Sequence, residues 1–318
     1  MQRVLVTGGA GFLGSYIVKE LVKRKQVQHV VVPSTTIKDK TSLDLLNVES
    51  DKINLISGDI RDYDFVQRMF NEYEFDTVFH LAALSEVRKC QSNTKLAFDT
   101  NIGGTVNILE TARLFGSVKA IVVSSSDKAY GRCELPYREE QPLEGKSIYE
   151  VSKSCTDLIA RSYFYNYQLP VVVTRCCNLY GGTDMNFSRI IPNTIRSILR
   201  DKPPMIWAGA QNFIREFLYV EDAAEAYLAI VKNIETAKGN AYNIGSGEKI
   251  TMKDLVEKIL SKIPNNLEVK YPPKDFPEIN NQYLDSSKIQ KELGFVARTT
   301  LDEGLEKTIE IYKKEMVR

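Results

Sequence analysis

Short apolar runs alternate with amphipathic stretches through the first half of the chain. The runs are "RVLVT" (3–7), "HVVV" (29–32), "INLIS" (53–57), "TVFHL" (77–81), "KAIVVS" (119–124) and "PVVVT" (170–174). Several have no polar alternation, the pattern of strands buried on both faces in a parallel sheet. Between them, helical spacing gathers Phe65, Val66, Met69, Phe70 and Tyr73 on one face of 62–73. In 102–115 it gathers Ile102, Val106, Leu109, Ala112 and Leu114. Strand–helix alternation of this kind predicts an α/β fold with a doubly wound parallel sheet and right-handed crossovers. After about residue 176 prolines multiply, and short helices mix with short strands. That change predicts a smaller mixed lobe over 177–318, packed on a main domain over 1–176, with segments near 213–240 returning to the main domain.

Composition narrows the function. The 318 residues are 43% hydrophobic and 26% charged, with 42 basic against 41 acidic side chains. That balance, without basic blocks or acidic tails, gives no support for nucleic acid or a membrane surface. No apolar stretch approaches the roughly 20 residues that span a bilayer. "MQRVLVTGG" enters a strand directly, which predicts no signal peptide. Five cysteines without metal spacing predict a reducing, cytoplasmic setting and no metal site. Cys176 and Cys177 read as small buried hydrophobes. With His29 and His80 the only histidines, a metal centre or a Ser-His-Asp relay is poorly supported, and His80 reads as structural.

"VLVTGGAGFLG" places Gly8, Gly11 and Gly14 between a strand and a helix. Gly8 permits a tight turn, Gly11 admits a pyrophosphate to the backbone, and Gly14 lets helix and strand pack closely. The following N–H groups, from Phe12 and Leu13 onward, offer donors and partial positive charge to phosphates. This is the Rossmann-like pattern, so 1–176 is expected to bind a dinucleotide. The acid that holds the adenosine ribose usually follows about 20 residues later. Here Pro33, Ser34, Thr35 and Thr36 stand in its place, followed by Lys38 and Lys40, so both NAD and NADP stay open. In "SGDIRD", Asp59 is placed to reach the adenine amino group and Ile60 to lie on the ring; the alternative is a helix N-cap at Asp59 or Asp62.

"YEVSK" sets Tyr149 and Lys153 on one helical face. A phenol with its usual pKa near 10 is a poor base at neutral pH. A neighbouring ammonium and a cationic nicotinamide ring would favour phenolate, and the Ser126 hydroxyl could relay the proton. Ser126 belongs to "SSSDKAYG", where Asp127 and Lys128 stand at the end of a buried strand. They form either a small elimination device or an ion pair closing the strand end. An exposed pair of that kind is worth under about 1 kcal/mol.

In order along the chain, "TGGAGFLG", "GDIRD", "HLAA", "TNIGGT", "SSSDKAYG", "YEVSK", "RCCNLYG" and "REFLYVED" resemble the extended short-chain dehydrogenase/reductases that act on nucleotide sugars. The resemblance covers essentially the whole chain. It implies an NAD(P) cofactor held in part by Leu81, Ala82 and Ala83. It implies a nucleotide-diphosphate sugar held by Ser85, Arg88, Asn178, Arg189 and Arg215, with Asn178 and Arg215 on the diphosphate. It also implies a homodimer through a four-helix bundle built from the helices around 95–115 and 147–167. In 4-epimerases of the family the two positions after the catalytic hydroxyl are small or neutral, and in many 4,6-dehydratases they are Asp-Glu. Asp127–Lys128 is similar to the CDP-glucose 4,6-dehydratase branch, although the insertions typical of that branch are absent. The implied chemistry begins with oxidation at sugar C4 by Tyr149, Ser126 and Lys153. Lys128 then removes the C5 proton, which requires a depressed lysine pKa, and a protonated Asp127 assists departure of the C6 hydroxyl. A 4-epimerase shares every residue except the need for Asp127 and Lys128. A 4-keto-sugar reductase and a non-catalytic dinucleotide-sensing module are more distant alternatives.

Overall fold

A computed structural model describes residues 1–36, 41–273 and 279–316; Lys38 and Lys40 lie outside the described residues. The six runs of the first half are strands β1 (Arg3–Thr7), β2 (His29–Ser34), β3 (Ile53–Ser57), β4 (Thr77–His80), β5 (Ala120–Ser124) and β6 (Val171–Cys176). Four more follow: β7 (Asn178–Tyr180), β8 (Ile214–Tyr219), β9 (Ala241–Ile244) and β10 (Lys249–Thr251). Among the described residues they form a seven-stranded sheet, β3-β2-β1-β4-β5-β6-β9, and a three-stranded sheet, β10-β8-β7. Every pairing in the larger sheet is parallel.

The lack of alternation in the strands is explained by two cores. Val4 and Val6 of β1 pack into a layer with the helices Phe12–Val22 and Val220–Lys232, while Leu5 packs on the opposite face with Phe70 and Leu109. The helix Tyr63–Tyr73 buries Val66, Met69 and Phe70 as its spacing predicts, and Asp62 caps it by accepting from Phe65 N. A third core under the smaller sheet joins Ile191, Ile195, Leu255, Ile259 and Leu305.

The helix expected over 102–115 is different. A π-helical turn, Asp99–Gly103, runs into the helix Gly104–Phe115. At about 100° per residue, Ile108, Leu109 and Ala112 share the buried face and Val106 and Leu114 fall on the opposite side. Val106 and Leu114, expected to face inward, are 36% and 54% exposed. The segment returning to the large sheet consists of the helix Val220–Lys232 and β9, and so extends past residue 240; β8 belongs to the small sheet.

Candidate active site

The strand order reverses between β1 and β4, and the carboxyl ends of the parallel strands open there into one cleft of about 2170 Å³. Ligands of open α/β sheets bind at this kind of crevice. The cleft collects the candidate catalytic, cofactor and substrate residues: the glycine turn, Asp59 and Ile60, Leu81 to Ala83, Ser85, Arg88, Ser126 to Lys128, Tyr149, Lys153, Asn178, Arg189 and Arg215.

The glycine turn fits a pyrophosphate. Gly8 takes φ +71°, a left-handed conformation, and a Cβ there would lie 2.9 Å from Ala82 N. A Cβ on Gly14 would collide with the carbonyl oxygen of Gly8. The helix Phe12–Val22 starts at Gly11 with no side-chain cap. Its first N–H groups therefore have no intrahelical acceptor and face the cleft. Asp59 is bound by Arg61 through Nε at 2.9 Å and Nη2 at 2.5 Å, which holds its carboxyl below the usual range. The N-cap of the next helix is Asp62.

Beneath this turn lies a buried lock. His80 Nε2 is 3.0 Å from Thr105 Oγ1, and its Nδ1 is 2.8 Å from Thr7 Oγ1. Thr105 Oγ1 donates its hydrogen to Asn101 O, so it must accept from Nε2–H. Nδ1 is then the acceptor for the Thr7 hydroxyl, whose oxygen also receives Leu81 N and Ala82 N. The network thus assigns neutral imidazole. Burial drives His80 down to about 3, in agreement.

Tyr149 and Lys153 share the helix Ile148–Tyr167, whose start is fixed by a capping box between Ser147 and Glu150. Both side chains are buried. The expected phenolate does not emerge from these residues. Lys153 Nζ donates to the Ser124 carbonyl at 2.7 Å, and burial lowers the amine to about 8. Burial also pushes Tyr149 up to about 12, against the opposing pull of Ser126 and Arg189. Ser126 itself donates to Asp127 Oδ1 at 3.1 Å and caps the short 3₁₀ turn Asp127–Tyr130.

Asp127 is 2% exposed, and its Oδ2 is buried without a hydrogen-bond partner. Desolvation raises its pKa above the carboxylate norm, although Lys128 and Arg215 pull the other way. Lys128 is half-buried, and its Nζ donates to Gln282 Oε1 at 3.1 Å. The two neighbours therefore do not form the closed ion pair that was their alternative reading. The turn is braced from below by a buried pair, Arg175 Nε to Asp157 Oδ2 at 2.7 Å. Arg175 Nη1 also reaches the Tyr130 hydroxyl at 2.7 Å, and that hydroxyl donates to Asn243 at 2.7 Å.

The outer residues divide by partner. Arg189 binds Asp184 at 2.9 Å. The Arg88 guanidinium lies 5.8 Å from the ring centre of Trp207. Asn178 Nδ2 donates to Glu216 O at 3.2 Å. Arg215 is 5% exposed and donates to the carbonyls of Asn280 (2.7 Å) and Ile279 (2.5 Å). Its neighbour Glu216 does not pair with it and accepts from Gly247 N and Leu284 N instead. Sequence reasoning missed Gln282, Trp207, Asp184 and the Asp157–Arg175 brace, although Arg175 opens the "RCCNLYG" motif. Among the described residues no cluster of His, Cys, Asp or Glu is arranged to hold a metal, and no helix is long and apolar enough to cross a membrane.

A glycine turn at the carboxyl edge of a parallel sheet, facing a buried Tyr–Lys pair, defines an extended short-chain dehydrogenase/reductase. The sequence profile described as GDP-mannose 4,6 dehydratase matches residues 5–308, and the chain belongs to that family. It is 34% identical over 341 aligned positions to a dTDP-glucose 4,6-dehydratase of Salmonella typhimurium, covering 98% of this chain and 92% of that one. Among solved structures it resembles the dTDP-glucose 4,6-dehydratase of Streptomyces venezuelae with NAD bound, at 28% identity and TM-score 0.90, covering 99% of this chain and 98% of that one. It also resembles a UDP-glucose 4-epimerase of Thermotoga maritima with UDP-glucose, at 27% identity and TM-score 0.87, covering 98% and 99%.

Proposed function

We propose that the chain is a nucleotide-sugar 4,6-dehydratase, converting an NDP-hexose to its 4-keto-6-deoxy product with NAD held in the glycine-turn half of the cleft. The observation that carries this reading over a 4-epimerase is Asp127: a buried carboxyl raised above the carboxylate norm, one oxygen unpartnered, beside an amine held by a different residue. An epimerase needs neither group. Bound NAD supplies the acceptor and later the donor of one hydride. The chain's own residues do the rest. Tyr149 takes the C4 hydroxyl proton with Ser126 beside it, and a cationic ring nearby favours the phenolate that burial alone opposes. The ketone acidifies C5–H, Lys128 removes that proton, and Asp127 gives its own to the departing C6 oxygen.

Residues 177–318, apart from the returning segment, are proposed as the lobe that holds the nucleotide, with Asn178, Arg189 and Arg215 toward the diphosphate and Ser85 and Arg88 toward the sugar. The Asp-Lys pair favours CDP-glucose. A homodimer is proposed through the helices Gly104–Phe115 and Ile148–Tyr167, which expose Val106, Leu114 and Leu158; sedimentation that returns a monomer removes it. The deciding experiment is incubation with CDP-, dTDP-, UDP- and GDP-hexoses, read by mass spectrometry. Loss of one water from one of them is expected. Isomer exchange without mass change would make the chain an epimerase.

A further inference from the structure

We propose that Gln282 is a positioning residue for the elimination base: it holds the Lys128 amine at the cleft with a neutral acceptor. This rests on Lys128 acting as that base. The contact, Nζ to Oε1 at 3.1 Å, joins residues 154 positions apart.

Gln282 is fully buried, and its place is fixed by backbone on both sides. Its N–H donates to Ile214 O at 3.0 Å, Asn281 Oδ1 accepts from Ile214 N at 2.9 Å, and Leu284 N donates to Glu216 at 2.8 Å. The side-chain amide has only one sensible orientation. An ammonium offers donors alone, so the oxygen faces Lys128. Nε2 then makes no close hydrogen bond and lies beside the Tyr137 phenol. A poorly satisfied buried donor destabilises a fold, and leucine there would avoid it. What the glutamine offers in return is its oxygen.

The neutrality of that oxygen is the chemical point. Lys128 acts electrostatically on Asp127 of its own turn, and Arg215 and Glu216 from β8 and the Tyr137 phenol are coupled to that same carboxyl. A carboxylate at position 282 would bind the amine as a salt bridge and fix it as ammonium, which cannot take a proton. The amide gives the same geometric hold without the added charge.

The test uses the full chain saturated with NAD, in the parent, Gln282→Glu and Gln282→Leu. Trace acetylation by acetic anhydride, read on the Lys128 peptide across a pH series, reports when that amine loses its proton. The second readout is solvent deuterium entering sugar C5 with the substrate found above. Gln282→Glu should move the acetylation midpoint up by about one pH unit or more, a tenfold drop in labelling at fixed lower pH. The rising limb of C5 exchange should move with it. Gln282→Leu should lower kcat for exchange by about tenfold, with KM little changed and no upward shift of the midpoint. If both variants keep the parent midpoint and exchange profile, and lose only stability, Gln282 is structural and the inference is overturned. Lys128→Met separates the two levels. Exchange at the parent rate in that variant removes Lys128 as base, and both readings fall. Abolished exchange there, with an unmoved midpoint in Gln282→Glu, leaves the base standing and removes Gln282 alone.

Discussion

The lock formed by His80 makes the fold sensitive to mild acid, and the amount can be worked out. His80 is 2% exposed, accepts from Thr7 at Nδ1 and donates to Thr105 at Nε2. Its pKa is lowered from 6.5 to about 3, chiefly by burial and secondly by the Lys153 charge. Protonation puts a second donor against Thr7 Oγ1, which already receives two backbone N–H groups. The sign follows from linkage. Between about pH 6.5 and 3 the unfolded chain binds a proton here and the folded chain does not, so stability rises with pH across that window. From pH 6.5 to 5 the loss is 1.5 units at 1.36 kcal/mol each, roughly 2 kcal/mol. Urea unfolding of the parent and His80→Gln at pH 7.0 and 5.0 measures it, because glutamine keeps one donor and one acceptor without titrating. The carboxylates common to both proteins cancel in the difference. The parent should lose roughly 2 kcal/mol more than the variant over that interval. Equal losses, or ring-proton resonances of His80 titrating near 6.5 in the folded protein, would refute the tautomer assignment and the burial that supports it.

Further outcomes are expected elsewhere. Gly14→Ala places a methyl against the Gly8 carbonyl, whereas a Cβ on Gly11 meets that oxygen at 3.2 Å. Urea unfolding should therefore show a larger loss of stability for Gly14→Ala than for Gly11→Ala, and the reverse order would discredit the close-packing role. Asp157→Ala strands the fully buried Arg175 and should cost about 3–5 kcal/mol in urea unfolding; a loss below about 1 kcal/mol would mean that the brace is not a brace. Tyr149→Phe should lower turnover by about 10²–10⁴-fold while NAD affinity stays near the parent value; unchanged turnover would remove the phenol from the proton path.

Much of this architecture was legible because it is written in short-range patterns. Unbroken apolar runs report strands with a core on each face, and the glycine spacing reports a turn with no room for side chains. The cofactor-side and catalytic motif residues lie at the ends of the parallel strands and on one helix face, so that sheet gathers them, while the smaller sheet brings Asn178 and Arg215 to the same cleft. What escaped was set by contacts far apart in sequence. Gln282 meets Lys128 only because the chain returns along β8, and nothing around residue 282 signals it. The π-helical turn at Asp99–Gly103 is a feature that a 3.6-residue period cannot anticipate, and Val106 and Leu114, read as inward, lie on the outer side of the regular helix after it. The partner of Lys153 was likewise beyond the local pattern. Four-residue spacing puts Lys153 on the same face as Tyr149, but the Ser124 carbonyl, not the phenol, receives its amine.

The join between the two sheets has a mechanical consequence. β6 ends at Cys176 and β7 starts at Asn178, so a single residue, Cys177, carries the chain across, and its N–H is bonded to Ile244 O. A join that short and that tied has no slack to act as a hinge. The acid on the β5 turn and the arginine on β8 therefore keep a fixed separation, as two jaws cut from one block. Substrate must fit a preset gap rather than draw it shut. Under the proposed function, discrimination among sugars resembles a gauge more than a clamp.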